Sequence, residues 1–302
     1  MGLGLQRTPG GRRLERELWQ RTPPSARSTA SMAGSIAFEK YEGLGNDFVV
    51  LEAAGPLSTE LVTRICDRHF GVGADGVLIV GPAAHDGARA RMIVQNADGS
   101  RPEMCGNGLR CVALHLAKQA GVDRAEFVVD TDAGPRRCKV ERRDDEASVA
   151  IDMGRAERLG EYRTTFDGRE YVFERVSTGN PHAICLDVFP DLATIDRLGP
   201  QVSAAIPGGT NVEFVALREP RAFDVVVWER GVGRTLACGT GAVATGAALG
   251  FTGRVPLGEP LAIRLPGGTL EVSVGVAPFE TTLRGPARRV FGGIVAGRLT
   301  PA

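Results

Sequence analysis

Lysine is scarce in this 302-residue chain: only Lys40, Lys118 and Lys139 stand among 36 basic residues. Pyridoxal phosphate is held through a lysine Schiff base, so the scarcity weighs against that cofactor. Neither sign of charge is in excess, because 36 acidic residues cancel the 36 basic ones. A chain without net charge has no general attraction for nucleic acid or an anionic membrane. No apolar run approaches the roughly 18 residues that span a bilayer. The four histidines (His69, His85, His115, His182) are scattered and no CxxC pair occurs, which argues against a metal site. Six cysteines in a chain this long are too dilute for a disulfide scaffold. Reduced thiols in a cytoplasmic protein, mostly packed as small hydrophobes, are the expectation.

What is present is ordinary globular material, 43% hydrophobic and 24% charged, with 40 glycines that promise tight turns and close backbone approaches. The length suggests two domains. Residues 1–35 stand apart. They carry six arginines against Glu15 and Glu17, several Ser and Thr, and the Pro23-Pro24 break, with no apolar stretch of a secretory signal. Such a segment reads as a disordered leader or a misassigned start, with Met32 opening the functional chain. An organelle transit peptide is the alternative. The leader's net +4 leaves the remainder at −4.

Beyond Phe38 short strands alternate with a few helices. Residues 89–95, 148–153, 223–228 and 269–276 alternate or run in β-formers. Residues 261–265 and 270–274 flank Pro266-Gly267-Gly268-Thr269, a hairpin signal. Residues 57–68 read as a helix. Residues 109–120 carry apolar side chains along one stripe, with Gly121 at the C-terminal cap position. A helix starting near Gly241 is small or apolar all round, which predicts burial with strands packed close. Gly71-Val72-Gly73-Ala74-Asp75-Gly76 fits GxGxxG, but a helix precedes it and a strand follows, the reverse of a dinucleotide site. It reads as a helix-to-strand turn.

Three short matches relate the two halves. Gly45-Asn46-Asp47-Phe48 returns as Gly179-Asn180-Pro181-His182 at an offset of 134, and Gly73-Ala74-Asp75 as Gly209-Thr210-Asn211 at 136. Met104-Cys105-Gly106-Asn107-Gly108 returns as Ala237-Cys238-Gly239-Thr240-Gly241 at 133. Three matches in one order at nearly one offset imply two similar α/β domains facing each other across a pseudo-twofold axis, with a ligand cleft between them.

Cys105 and Cys238 are the informative pair, since each precedes Gly-x-Gly and opens a helix. Unpaired N–H groups at a helix start carry partial positive charge, which predicts a lowered thiol pKa and an anion site. Two thiols on opposite faces of one carbon suit inversion by proton removal and return, and helix ends holding the substrate carboxylate would act as an oxyanion hole. Cys111 lies within a helix, and Cys66, Cys138 and Cys185 lack such surroundings, so these four read as structural.

At this point the chain resembles the diaminopimelate epimerase family, from about Phe38 to Val295. The resemblance rests on Gly45-Asn46-Asp47-Phe48, Asn96-Ala97-Asp98-Gly99-Ser100, Cys105-Gly106-Asn107-Gly108, Gly179-Asn180-Pro181-His182, Asn211-Val212-Glu213-Phe214, and Glu229-Arg230-Gly231-Val232-Gly233 followed by Thr235 and Ala237 to Ala242. It implies a cofactor-independent interconversion of LL- and meso-diaminopimelate in lysine and cell-wall synthesis. It also implies a mixed α/β fold of two domains, each a curved, largely antiparallel sheet around a central helix. The expected division is 36–147 and 148–286, with strand 287–297 returning to the first domain. Cys105 and Cys238 are then the acid/base thiols. Gly106, Asn107, Gly239 and Thr240 hold the reacting carboxylate through backbone N–H groups. Asn96, Asn211 and Arg230 hold the distal carboxylate, Asn46 and Asn180 line the cavity, and His182 and Glu229 assist near the reacting centre. No metal, cofactor, nucleic acid or membrane is expected, and a homodimer is left open.

Plain structural roles compete at several positions. Asn46 and Asn180 follow glycine, where turn chemistry alone would place an Asn. His182 could be a satisfied core histidine, and Glu229-Arg230 a solvated charge pair at a strand end. Gly76 departs from relatives that carry a substrate-contacting Gln there. The nearest rival function is a proline or hydroxyproline racemase, which shares the two-thiol design. Those relatives typically have His where this chain has Asn107, and proline lacks a second carboxylate. A binding protein with a redox switch is the alternative from another class.

Overall fold

The computed structural model describes residues 35–295, so the expectations for the leader and for Met32 lie outside the described residues. β1 (Ile36–Gly43) and β2 (Asn46–Glu52) form a hairpin turned by Leu44 and Gly45, both at positive φ. α1 (Thr59–Cys66) crosses to β3 (Gly76–Gly81), which lies parallel to β2, and β4 (Ala88–Asn96) returns antiparallel. α2 (Gly106–Gln119) crosses to β5 (Arg124–Thr131), parallel to β4. β6 (Gly134–Arg143) and β7 (Glu146–Arg155) complete an antiparallel meander.

The same order then repeats after an added edge strand, β8 (Glu157–Phe166). β9 (Arg169–Ser177) and β10 (Pro181–Cys185) are antiparallel. α3 (Leu192–Ala205) crosses to β11 (Asn211–Glu219), parallel to β10, and β12 (Ala222–Glu229) returns with the short β13 (Gly233–Arg234) beside it. α4 (Gly239–Phe251) crosses to β14 (Leu261–Leu265), parallel to β12, followed by β15 (Gly268–Val274) and β16 (Glu280–Val295). The registers repeat as well. Phe48 lies opposite Gly76 in the first half, and His182 opposite Asn211 in the second. The faint sequence repeat is therefore a repeat of topology.

β16 joins the halves. Its first part is hydrogen-bonded to β15 on one edge and β7 on the other, and its last part pairs with β1. The β1–β16 pairing closes β1 to β7 and β16 into a ring, and α2 lies inside it. Arg110 of α2 donates from Nε to Pro286 O of β16 at 3.0 Å, fastening helix to joint.

Local chemistry explains the helices. Ser58 and Asp191 cap α1 and α3, and Gly121 at φ 67° ends α2. α1 is shorter than the 57–68 reading, and the 269–276 strand stops at Val274. The apolar stripe of 109–120 understates the burial of α2, whose residues from Gly106 to Ala117 are all buried, Arg110 and His115 included. A helix inside a closed sheet has no solvent face, so its polar side chains must find partners within. His115 Nδ1 lies 3.2 Å from Tyr41 Oη and 3.0 Å from Glu39 Oε2. α4 is packed by small residues, as expected, and its neighbours leave no room for larger ones. A Cβ on Gly246 would lie 2.7 Å from Val272 Cγ1. No helix among the described residues is long and apolar enough to cross a membrane.

Gly246→Val should therefore destabilise the protein by about 1–3 kcal/mol through overpacking. A urea midpoint equal to that of the native protein would show that α4 and β15 have slack.

Candidate active site

Cys105 and Cys238 occupy the same structural position in the two halves, the residue that caps a central helix. Each is extended in backbone, and its sulfur accepts the N–H three residues on: Gly108 N to Cys105 Sγ at 3.4 Å, Gly241 N to Cys238 Sγ at 3.3 Å. The helix starts abut. A Cβ on Gly239 would lie 3.7 Å from Gly106 Cα and 3.2 Å from Leu283 Cδ2 of β16. Gly106, Asn107, Gly239 and Thr240 are thus the first residues of two helices meeting end to end, where N–H groups have no intrahelical acceptor. Such a meeting point concentrates positive potential and suits a carboxylate.

Asn107 spans the two halves. Its Nδ2 donates to Ala237 O at 3.1 Å and to Asn46 Oδ1 at 3.2 Å. Asn46 is oriented in turn by Asp75 Oδ2, which accepts its Nδ2 at 2.7 Å. Behind this pair stand Arg68, bonded to both Asp47 and Asp75, and Lys40, 2.6 Å from Asp47. Burial works against the Asp47 carboxylate, but Arg68 and Lys40 hold its pKa at about 2. More than turn chemistry therefore fixes Asn46.

On the other side Asn180 donates from Nδ2 to Thr240 Oγ1 at 3.4 Å, and Thr240 Oγ1 lies 3.5 Å from Cys238 Sγ. His182 is fully enclosed, with Nε2 3.1 Å from Asn180 Oδ1 and Nδ1 2.7 Å from Glu213 Oε1. Both ring nitrogens are engaged, and the ring connects to the sulfur through Asn180 and Thr240. Glu229 is not a solvated partner of Arg230. Its Oε1 accepts from Thr235 Oγ1 at 2.5 Å, and burial, with Glu213 nearby, pushes its carboxyl pKa up.

The thiols depart from the lowered pKa expected at a helix start. Burial raises both, Cys238 strongly so, and the N–H bonds at the helix starts offset only part of this. The helix-end effect is worth about 0.3–2 kcal/mol, whereas desolvation of a fully buried group moves a pKa by up to about 3–5 units.

The remaining predicted residues gather only in part. Asn211 Oδ1 accepts Arg230 N at 2.9 Å, so these two are adjacent, and Arg230 Nη1 rests on Gly208 O at 2.6 Å. Asn96 bonds within its own turn, Nδ2 to Ser100 Oγ at 3.0 Å, and no hydrogen bond among the described residues links it to the other two. Gly76 lies opposite Asn96, and a Cβ there would sit 2.7 Å from Gln95 O. Cys66, Cys111, Cys138 and Cys185 are buried free thiols. Glu213, Asp75 and Thr235, which the motifs contain without an assigned role, bond His182, Asn46 and Glu229 respectively. The one available signal was an acid inside the apolar run of β11.

This arrangement of paired, capped helices in a repeated sheet is a fold shared with solved epimerases and related proteins. A solved hydroxyproline epimerase from Agrobacterium vitis matches it with a TM-score of 0.70 at 18% identity, covering 88% of this chain and 93% of that one. A Bacillus anthracis phenazine biosynthesis protein of the PhzF family gives 0.66 at 16%, covering 86% and 99%. The diaminopimelate epimerase family model matches residues 38–159 and 175–290. Diaminopimelate epimerases of Xylella fastidiosa (strain M23) and Desulforudis audaxviator are 39% and 40% identical to it, over 87% and 85% of this chain and 97% and 98% of theirs. The chain belongs to the diaminopimelate epimerase family, and with it to the isomerases.

The abutting helix starts generate a redox prediction. Mild oxidation should abolish activity through a Cys105–Cys238 disulfide, and a thiol reductant should restore it. Peptide mapping that finds both thiols free in oxidised, inactive protein would contradict this.

Proposed function

We propose that this protein interconverts LL- and meso-2,6-diaminopimelate, the step its family name denotes, by proton transfer between carbon and two thiols. The observation that carries the reading is the pair of equivalent cysteines capping helices that meet end to end. A substrate carboxylate on the N–H groups of Gly106, Asn107, Gly239 and Thr240 puts its α-carbon between the sulfurs.

One sulfur, as thiolate, takes the α-proton. The C–H bond breaks, an S–H bond forms, and the released electron pair spreads into the carboxylate. Its growing charge falls where two helix ends are already oriented, so little reorganisation is needed. The opposite thiol gives its proton to the other face, its S–H bond breaks, and the carbon is inverted. Each turnover leaves the two thiols in exchanged protonation states. Asn46 and Asn180 flank the cleft from the two halves, and Glu229 faces both thiols. At the distal end Arg230 offers a planar fork and Asn211 an amide, suited to a second carboxylate. Asn96, whose amide has a second N–H besides the one bonded to Ser100, is the third member of this set. These steps draw on the chain's own groups, and the product serves lysine and peptidoglycan precursor synthesis.

Purified protein incubated with LL-diaminopimelate under reducing conditions should form the meso isomer, read by chiral chromatography. Cys105→Ala and Cys238→Ala should each fall to about a thousandth of native turnover or less, because each removes an obligatory proton carrier. Substantial turnover by either variant would exclude the two-thiol mechanism.

The distal site yields a specificity prediction. Lysine and proline, which lack the second carboxylate, should be inverted far more slowly than diaminopimelate, since the donors would be left unpaired. Arg230→Lys should lower kcat/KM by about ten- to a hundredfold, the equivalent of about 1.5–3 kcal/mol for a charge-assisted hydrogen bond. Equal rates on proline, or a silent Arg230→Lys, would return weight to a proline racemase.

A further inference from the structure

The two thiols are equivalent by fold, but what lies beneath them differs. Gly108 and Gly241 are each the third residue after the capping cysteine in the two Gly-rich motifs, and each approaches one side chain of the parallel strand pair. A Cβ on Gly108 would meet Leu78 Cδ2 at 2.8 Å; a Cβ on Gly241 would meet Glu213 Oε1 at 2.6 Å. The strand registers confirm the equivalence, with Val50 opposite Leu78 and Ile184 opposite Glu213. Phe48 and His182 likewise occupy matching places. The first half has Phe48 and Leu78, both apolar and buried, where the second has a buried imidazole and carboxylate 2.7 Å apart.

The carboxylate end of that pair is the end turned to the sulfur. Cys238 Sγ lies 3.3 Å from the position a Gly241 Cβ would take, the point that Glu213 Oε1 approaches to 2.6 Å. His182 Nε2 reaches the same sulfur only indirectly, lying 3.1 Å from Asn180 Oδ1, with Thr240 between Asn180 and Cys238. Glycine at 241 is what allows this approach.

Resting on the two-thiol reading above, we propose that Glu213 is a positioning residue that makes the thiols unequal. Its carboxylate, held by His182, keeps the proton on Cys238 and leaves Cys105 as the thiol that ionises first. The charged groups facing each sulfur agree. At Cys238 these are Glu229 from β12 and Glu213 from β11, with His182 of β10 behind Asn180 and the Thr240 hydroxyl on its own helix. At Cys105 they are Glu229, opposing ionisation, and Arg110, favouring it. Burial raises both thiols most, and Glu229 acts on both; among the charges, those that differ are Glu213, opposing ionisation at Cys238, and Arg110, favouring it at Cys105. At rest the enzyme is set to remove a proton with Cys105 and to return one from Cys238.

The test needs no turnover. Native protein, without substrate, is treated with iodoacetamide at neutral pH, and the initial alkylation rates of Cys105 and Cys238 are read separately by peptide mass. In Glu213→Gln the rate at Cys238 should rise about five- to tenfold, the effect of removing one nearby buried charge, with Cys105 unchanged. Glu213→Asp, which keeps the charge, should stay near the native rate. No rise at Cys238, or an equal rise at both thiols, would overturn the proposal. Should Glu213→Gln fail to fold, the native protein still decides: the alkylation of Cys238 should reach half-maximum at a higher pH than that of Cys105, and an equal or lower midpoint would overturn it. Loss of epimerisation in the cysteine variants is measured independently, so the two readings fail separately.

Discussion

The close approach of two helix N-termini is the constraint on which the rest of the structure depends. Like ends of helix dipoles repel, and nothing intrinsic to α2 or α4 would hold Gly106 beside Gly239. The approach is imposed from outside, by a sheet that encloses one helix and continues through β16 around the other. Leu283 of β16 packs beneath both glycines, 3.4 Å and 3.2 Å from the Cβ positions that Gly106 and Gly239 leave open. A Cβ at Gly239 would require Leu283 to shift by a few tenths of an ångström, whereas one at Gly106 would make ordinary contact. The repulsion that remains would be relieved by a carboxylate between the ends.

Around that meeting point the side chains are oriented by groups with few alternatives. Asn46 cannot turn its amide, because Asp75 takes its Nδ2 and Asp75 is itself held by Arg68. Asn180 is fixed by His182 and Thr240, and His182 by Glu213. Each chain begins in a strand or turn of one half and ends at a helix start. The Asn107 bond to Ala237 then ties the halves across the cleft. A shift in either half would reach the other through packed, hydrogen-bonded contacts, which keeps the two capping cysteines in a fixed relation.

Much of this was legible in the residues, for identifiable reasons. The repeat, the two cysteines and the Gly-rich helix starts are local patterns, and local patterns survive into structure. The helix at Leu192–Ala205 was not legible, because Gly199 and Pro200 sit in its middle and read as a break. It forms because Asp191 caps it, and Ile195, Leu198 and Val202 bury one face. Gly199 is there for contact: a Cβ would lie 2.7 Å from Trp228 Cγ. Glu213 was hidden for a different reason. β11 is buried at each of its first five residues, so no alternation marks which side chains point to the site. The sign of the thiol shifts could not be read either, since the helix-end effect is local and written in sequence, whereas burial is a property of the assembled fold.

The two ends of the candidate site are built differently. The thiol end sits on helix starts and central strands, with Cys238 buried and Cys105 half-buried, and sites on such elements are held more precisely than sites on loops. The distal end sits on turns. Arg230 is followed by Gly231 and Gly233, both at positive φ, and it rests on a loop whose Gly208 and Gly209 are also at positive φ. A Cβ on Gly209 would lie 2.6 Å from Arg230 Cδ, so glycine in that loop is what lets the guanidinium lie against it. Turns of this kind change sequence and length at little cost to a core, whereas the helix starts cannot move without losing both thiols. A fold so divided can keep its paired helix starts while the turns at its edge vary.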